Sequence, residues 1–292
     1  MPGVGTVGFE DLEVTAVPGT SGSFTAEIAD RWQLVVVPLG GAAAALAARA
    51  MTATLAHPEQ TLRSLSAVFA GQVAAGPVEI DVTVLRRGRS MSQLSATVRS
   101  PGAVAGLTAV AVFGAPRRGY EFTELVMPDV PGPEGLRSYR DPVPDGIDFE
   151  FDNELLPLWA EVVECRPAVG RAPWEPPVDG PAECVYWYRL DTPPILDDGT
   201  LDPAGAIVLC DSMPGAVSMK LGGEEWFGPS ADFTIHLFAR ARPGWLLAHN
   251  RARHAGDGYA SVDMALWDPT DRTLVAYATQ MMFFAFPDRR VT

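Results

Sequence analysis

The chain predicts an α+β protein built from two copies of one unit, each a helix on an antiparallel sheet. Three observations carry this reading. Residues 62–113 laid over residues 230–281, at a constant offset of 168, place four β-like apolar runs on four others without a gap. In that alignment Gly76 falls on Gly244 and Gly88 on Gly256. Each block has a candidate helix upstream. Between the blocks, residues 115–146 contain Pro116, Pro128, Pro131, Pro133, Pro142 and Pro144, which read as a stiff linker laid over the surface. The expected organisation is a first unit over 1–114, a proline-rich linker over 115–146 and a second unit over 147–292. The period exceeds the roughly 20–50 residues of solenoid repeats. It points to a fused pseudo-dimer whose functional surface is the cleft between the copies.

The elements follow in order. Residues 22–29 read as a short strand. Gly40-Gly41 opens the alanine-rich stretch AAAALAARAMTATLA, which has high helix propensity and stops near His57-Pro58. Strands are expected near 62–73, 77–86, 91–99 and 104–113, punctuated by Gly-Pro, Arg-Gly-Arg and Pro-Gly turns. The second unit begins near Ile147, with strands near 158–165 and 182–190 around a proline-rich loop at 173–181. Asp202-Pro203 supplies an N-cap and a first helical residue, so a helix is expected over 203–213, ended by Pro214-Gly215. Strands near 231–241, 245–254, 259–267 and 273–285 close the chain.

Composition narrows the function. A hydrophobic content of 47% supports full cores, and a net charge of −14 argues against nucleic acid and anionic membrane as main partners. A small anionic ligand needs only a local basic patch. Cys165, Cys184 and Cys210 are odd in number and lack metal-like spacing, so a reducing cytoplasm is expected. The start MPGVGTVGFEDLE has no basic or apolar leader pattern. The longest uncharged apolar stretch, Leu34 to Ala48, is broken by Pro38, Gly40 and Gly41 and is too short to insert in a membrane. The G-x-G-x-x-G at Gly3, Gly5 and Gly8 follows no strand and reads as a chance match. There is no G-x-S-x-G elbow. His57, His236, His249 and His254 form no metal pattern, so neither a metal nor another cofactor is expected.

Several segments resemble the acyl-CoA thioesterase II family. They are W-x7-G-G before the alanine-rich helix (Trp32, Gly40, Gly41), VTVLRRGRSMSQLSATV at 82–98, VLCDSMP at 208–214, SADFTIHLFARARPGWLL at 230–247, and LVAYATQMMFF at 274–284. The resemblance implies a double hotdog, two tandem units in which an antiparallel sheet wraps a central helix. It implies hydrolysis of acyl-CoA to free acid and CoA, in fatty acid metabolism. It also implies a catalytic trio of a helical Asp, a Thr or Ser at the start of the next strand, and a Gln on the last strand. These fall on Asp211, Ser230 and Gln280, with Ser where the family often has Thr.

The residues suit that chemistry. A carboxylate at 211 borders the apolar turn Ala206 to Cys210, where partial burial would raise its pKa toward a useful range for a general base. The alternative is a solvated Asp near a helix end. Gln280 interrupts an apolar strand, and a buried amide needs partners that a carboxylate and a water supply; the alternative is an outward-facing or backbone-bonded amide. Ser230 follows Gly228-Pro229 and reads equally as a turn residue. Gly40-Gly41 allows a carbonyl oxygen to approach helix N-terminal N–H groups, or serves close helix packing. At the offset of 168, Leu62 stands opposite Ser230 and Val112 opposite Gln280, so one competent site per chain is expected. Arg86, Arg87 and Arg89 form a basic turn that reads as a phosphate contact or as a solvated hairpin. A homodimer is expected from the faces that pairing two units leaves open. Two other functions stay open: a non-catalytic acyl-binding or assembly protein, and a hotdog hydratase or dehydratase. The latter resemble one another through an Asp/His pair, and no His follows Asp211 in its helix.

Overall fold

The computed structural model describes residues 9–34, 37–147, 157–172, 174–175, 180–213, 215–221 and 226–286. The glycine pattern at 3–8, Pro214 and most of the proline-rich loop at 173–181 lie outside the described residues. The first half contains β1 (Thr15–Ala16), β2 (Ser23–Ile28), the two-residue pair β3 (Gln33–Leu34) and β4 (Val37–Pro38), and α1 (Gly40–Leu55). It continues with β5 (Thr61–Phe69), β6 (Gly76–Arg86), β7 (Met91–Arg99) and β8 (Leu107–Gly114). The second half contains β9 (Val163–Val169), β10 (Glu183–Leu190), α2 (Pro203–Cys210), α3 (Gly215–Lys220), β11 (Ser230–Leu237), β12 (Leu246–Gly256), β13 (Tyr259–Asp268) and β14 (Thr273–Phe283).

Twelve strands form one antiparallel sheet in the order β1-β2-β6-β7-β8-β5-β11-β14-β13-β12-β10-β9. The order reads the same from either end once halves are exchanged. β5 and β11 join the halves, and Ser66 faces Thr234 across that seam. The difference, 234 − 66, is the repeat offset of 168, so the pseudo-twofold axis passes between these two residues. Their hydroxyls bond at 3.1 Å. Two bulges repeat at the same offset. The one between Leu62 and Ser64 recurs between Ser230 and Asp232. The one between Val84 and Arg86 recurs between Ala252 and His254.

The repeat slips by one residue on the last strand. Ala276 and Leu274 pair with the consecutive residues Leu266 and Trp267, so Val275 is an extra residue in β14. Beyond it, Gln280 faces Phe233, the counterpart of Leu65, and Leu65 faces Ala111. The structural counterpart of Gln280 is therefore Ala111 rather than Val112. Other expectations need similar correction. Leu158–Val162 is a π-helical turn that precedes β9, and α2 stops at Cys210, short of residue 213. The strands expected to end near 73 and 241 end at Phe69 and Leu237.

α1 is buried from Gly41 through Ala48, as an alanine helix hydrophobic on all sides must be. Arg87 caps its far end, donating to Leu55 O at 2.8 Å and Thr54 O at 3.2 Å. That places the basic turn about 22 Å from Gly40, at 1.5 Å per residue. In the first half the strands alternate inward and outward, as β7 shows residue by residue. In the second half, β10 and β13 carry longer buried runs because the linker covers their outer face. Met127 packs there with Val185, Trp187, Leu247, Ala265 and Trp267, and Trp187 Nε1 donates to Pro131 O at 2.8 Å.

Candidate active site

The site forms where the two helices meet. α1 has Leu39 at its N-cap, which provides no side-chain acceptor for the first N–H groups. Asp211, from the other half, supplies one: its Oδ2 accepts from Gly41 N at 2.6 Å. Glycine is required for this approach. A Cβ at Gly41 would stand 2.9 Å from Asp211 Cβ and 3.1 Å from Val208 Cα. One at Gly40 would run into the Phe69 ring at 2.6 Å.

Asp211 is the C-cap of α2, which the macrodipole of α2 disfavours and that of α1 favours. It is 3% exposed. Burial is the largest influence on its carboxyl and pushes the pKa up to about 7, against the Gly41 N–H and the Gln280 amide, which lower it. Gln280 reaches in from β14, 2% exposed. Its Nε2 donates to Asp211 Oδ1 at 2.9 Å and also to Ser230 Oγ at the start of β11. Gln280 Oε1 is buried without a partner among the described residues. Asp211, Ser230, Gln280 and Gly41 are thus joined in one hydrogen-bonded group, with Gly40 beside it. Carboxylate, hydroxyl and amide around one point can hold and deprotonate a water.

The sequence of the second half, residues 133–284, matches the acyl-CoA thioesterase C-terminal domain, and residues 28–114 match the N-terminal domain of the same enzymes. The chain belongs to the acyl-CoA thioesterase family. It is a thioester hydrolase with a double-hotdog fold. Among solved structures it is similar to a conserved hot dog fold protein of Alicyclobacillus acidocaldarius, with 26% identity, 95% of this chain and 97% of that one covered, and a TM-score of 0.74. It is also similar in fold to an acyl-CoA thioesterase II of Mycobacterium marinum, with 18% identity, coverage of 96% and 98%, and a TM-score of 0.71. A tesB protein of Mycobacterium avium subs paratuberculosis gives 20% identity, coverage of 94% and 96%, and a TM-score of 0.70. No curated protein sequence matches the chain.

In this thioesterase His236 and the aromatic residues of β10 lie elsewhere. His236 is exposed on the outer sheet face, stacked 6.5 Å from Phe238. Tyr186 and Tyr188 pack inward beneath α2 and α3, while Trp187 points to the linker. Among the described residues no group of three His, Cys, Asp or Glu side chains is placed to hold a metal. Nor is any helix there long and apolar enough to cross a membrane. The sequence reading missed two neighbours of the site. Phe69 lies against Gly40, and Asn250 touches the turn after Asp211. Asn250 was legible in principle, since it is a polar residue at an inward position of β12.

Proposed function

We propose that the chain hydrolyses an acyl-CoA thioester to the free acid and CoA by attack of a water activated by Asp211. The observation that carries this reading is the buried carboxylate with a pKa of about 7, tied to Gln280 and to the N-terminus of the facing helix. Ser230 and Gln280 orient the water, and Asp211 takes its proton as the oxygen attacks the thioester carbon. The carbonyl oxygen becomes an oxyanion beside the N–H groups of Gly40 and Gly41. Negative charge leaves Asp211 as it appears on that oxygen, so the Gly41 N–H can follow it. The C–S bond then breaks, and the CoA sulfur leaves with the proton that Asp211 received.

The test is a screen of acetyl-, hexanoyl- and palmitoyl-CoA with free-thiol detection, on the wild type and on Asp211→Asn. Wild-type turnover should rise with pH through about 7 as Asp211 ionises. The variant should lose at least about 10²-fold in kcat while remaining folded. A folded Asp211→Asn with undiminished turnover removes Asp211 from the mechanism.

A further inference from the structure

We propose that Asn250 is a positioning residue for this hydrolysis, holding the turn that carries Asp211. The inference rests on Asp211 acting as the base. Because α2 stops at Cys210, its last carbonyls and the turn Asp211–Ser212–Met213 lack the support of a continuing helix. Side chains replace it. Asn250, 1% exposed on β12, donates its amide to Met213 O at 2.7 Å and more weakly to Ser212 O at 3.4 Å. Ser212 Oγ donates back to Leu209 O at 2.7 Å, and the Tyr188 hydroxyl faces the Ser212 side chain. Among the described residues the backbone contributes only two long bonds here, Asp211 N to Val208 O at 3.3 Å and Ala216 N to Met213 O at 3.2 Å.

The repeat shows what packing alone would place there. The counterpart of Asn250 is Val82, at 250 − 168, and the register of β6 with β7 matches that of β12 with β13 at this point. An apolar residue therefore fits the position. Asn250 instead keeps a buried Oδ1 with no partner among the described residues, a standing cost to stability. The donor half of the amide, spent on the turn beside Asp211, offsets that cost by fixing the carboxylate against Gly41 and Gln280.

The experiment compares wild type, Asn250→Leu, Asp211→Asn and the double variant, using the fastest substrate among acetyl-, hexanoyl- and palmitoyl-CoA. Thermal melts run alongside confirm folding. Asn250→Leu should lower kcat about tenfold with KM within about twofold, the pattern of a group that matters to the transition state. In the Asp211→Asn background the same change should lower the residual rate by less than about twofold, because a positioning residue acts only through what it positions. If Asn250→Leu fails to fold, Asn250→Thr, whose hydroxyl is too short to reach Met213 O, takes its place. A folded variant with wild-type kcat, or losses that multiply in the double variant, overturns the inference while leaving Asp211 in place. Full turnover by Asp211→Asn overturns both readings.

Discussion

The N-termini of α1 and α2 occupy the same place in two copies of one unit, and they are closed in opposite ways. Counting from their first helical residues, Gly40 and Pro203, the helices correspond at an offset of 163. At that offset Asp211 and Gly41 correspond to Ala48 and Ala204, two methyl-bearing residues. α2 is capped by its own Asp202, which accepts from Ala204 N at 2.8 Å. The second oxygen of Asp202 meets Arg49 Nη2 at 3.1 Å, with both side chains largely buried. Arg49 is held further by Leu12 O at 3.0 Å and Glu13 Oε1 at 2.7 Å. One helix end thus receives a carboxylate from across the interface with no cation on it among the described residues, and burial raises the pKa of that carboxyl to about 7. The other keeps a local carboxylate locked by an arginine. The difference teaches that one helix end of this fold can be closed by a carboxylate from the other half and the matching end by a carboxylate of its own half paired with an arginine.

The sharpest test of this contrast is stability against pH. Asp211 has a folded pKa of about 7, above the ordinary value of 3.8, so the folded state resists its ionisation. The unfolded chain releases this proton near pH 4. The penalty is therefore absent below that pH, grows between about 4 and 7, and is complete above 7. Asp211→Asn removes it and should stabilise the protein at pH 8 by on the order of 4 kcal/mol, at about 1.4 kcal/mol per unit. The gain should shrink as pH falls toward 4. Urea unfolding at several pH values measures it, and equal stability at pH 8 would show that the carboxylate is not strained.

Arg49→Leu probes the other end. Breaking a largely buried pair and leaving Asp202 without its cation should cost about 3 kcal/mol. Turnover of the folded variant should stay within about threefold of wild type. A collapse of kcat in folded protein would mean that the α2 end takes part in the reaction, and the asymmetry would be lost.

The smallest effect is expected from Gly41→Ala. The added methyl meets Asp211 and Val208, so about 1–3 kcal/mol of stability should be lost, together with kcat as Asp211 is pushed from its donor. The second half already tolerates Ala204 at the corresponding place. Unchanged melting and turnover would show that the helices have room to part.

Much of this was legible in the residues. Asp211 and Gln280 interrupt apolar runs, and polar residues at inward positions need partners wherever the chain takes them. The slip at Val275 was not legible, because a valine in a bulge looks like a valine in a strand. Hence Val112 was aligned where Ala111 stands. The early end of α2 was hidden for a similar reason: Asp211, Ser212 and Met213 carry no proline or glycine, and the bonds from Asn250 of β12 that hold the turn in place of a continuing helix come from a distant part of the chain.

The repeat at 168 and the apolar runs by themselves determined that two α+β units would form, because hydrophobic period and turn residues are local properties of the chain. Only the tertiary structure decided that Asp211 would cap the helix of the other half, and that Arg49 would neutralise the matching end. Residue 41 is 170 positions from residue 211, and residue 49 is 153 from residue 202. Charge, burial and hydrogen bonding at those points depend on distances in space, which pairing β5 with β11 creates and which no local pattern encodes.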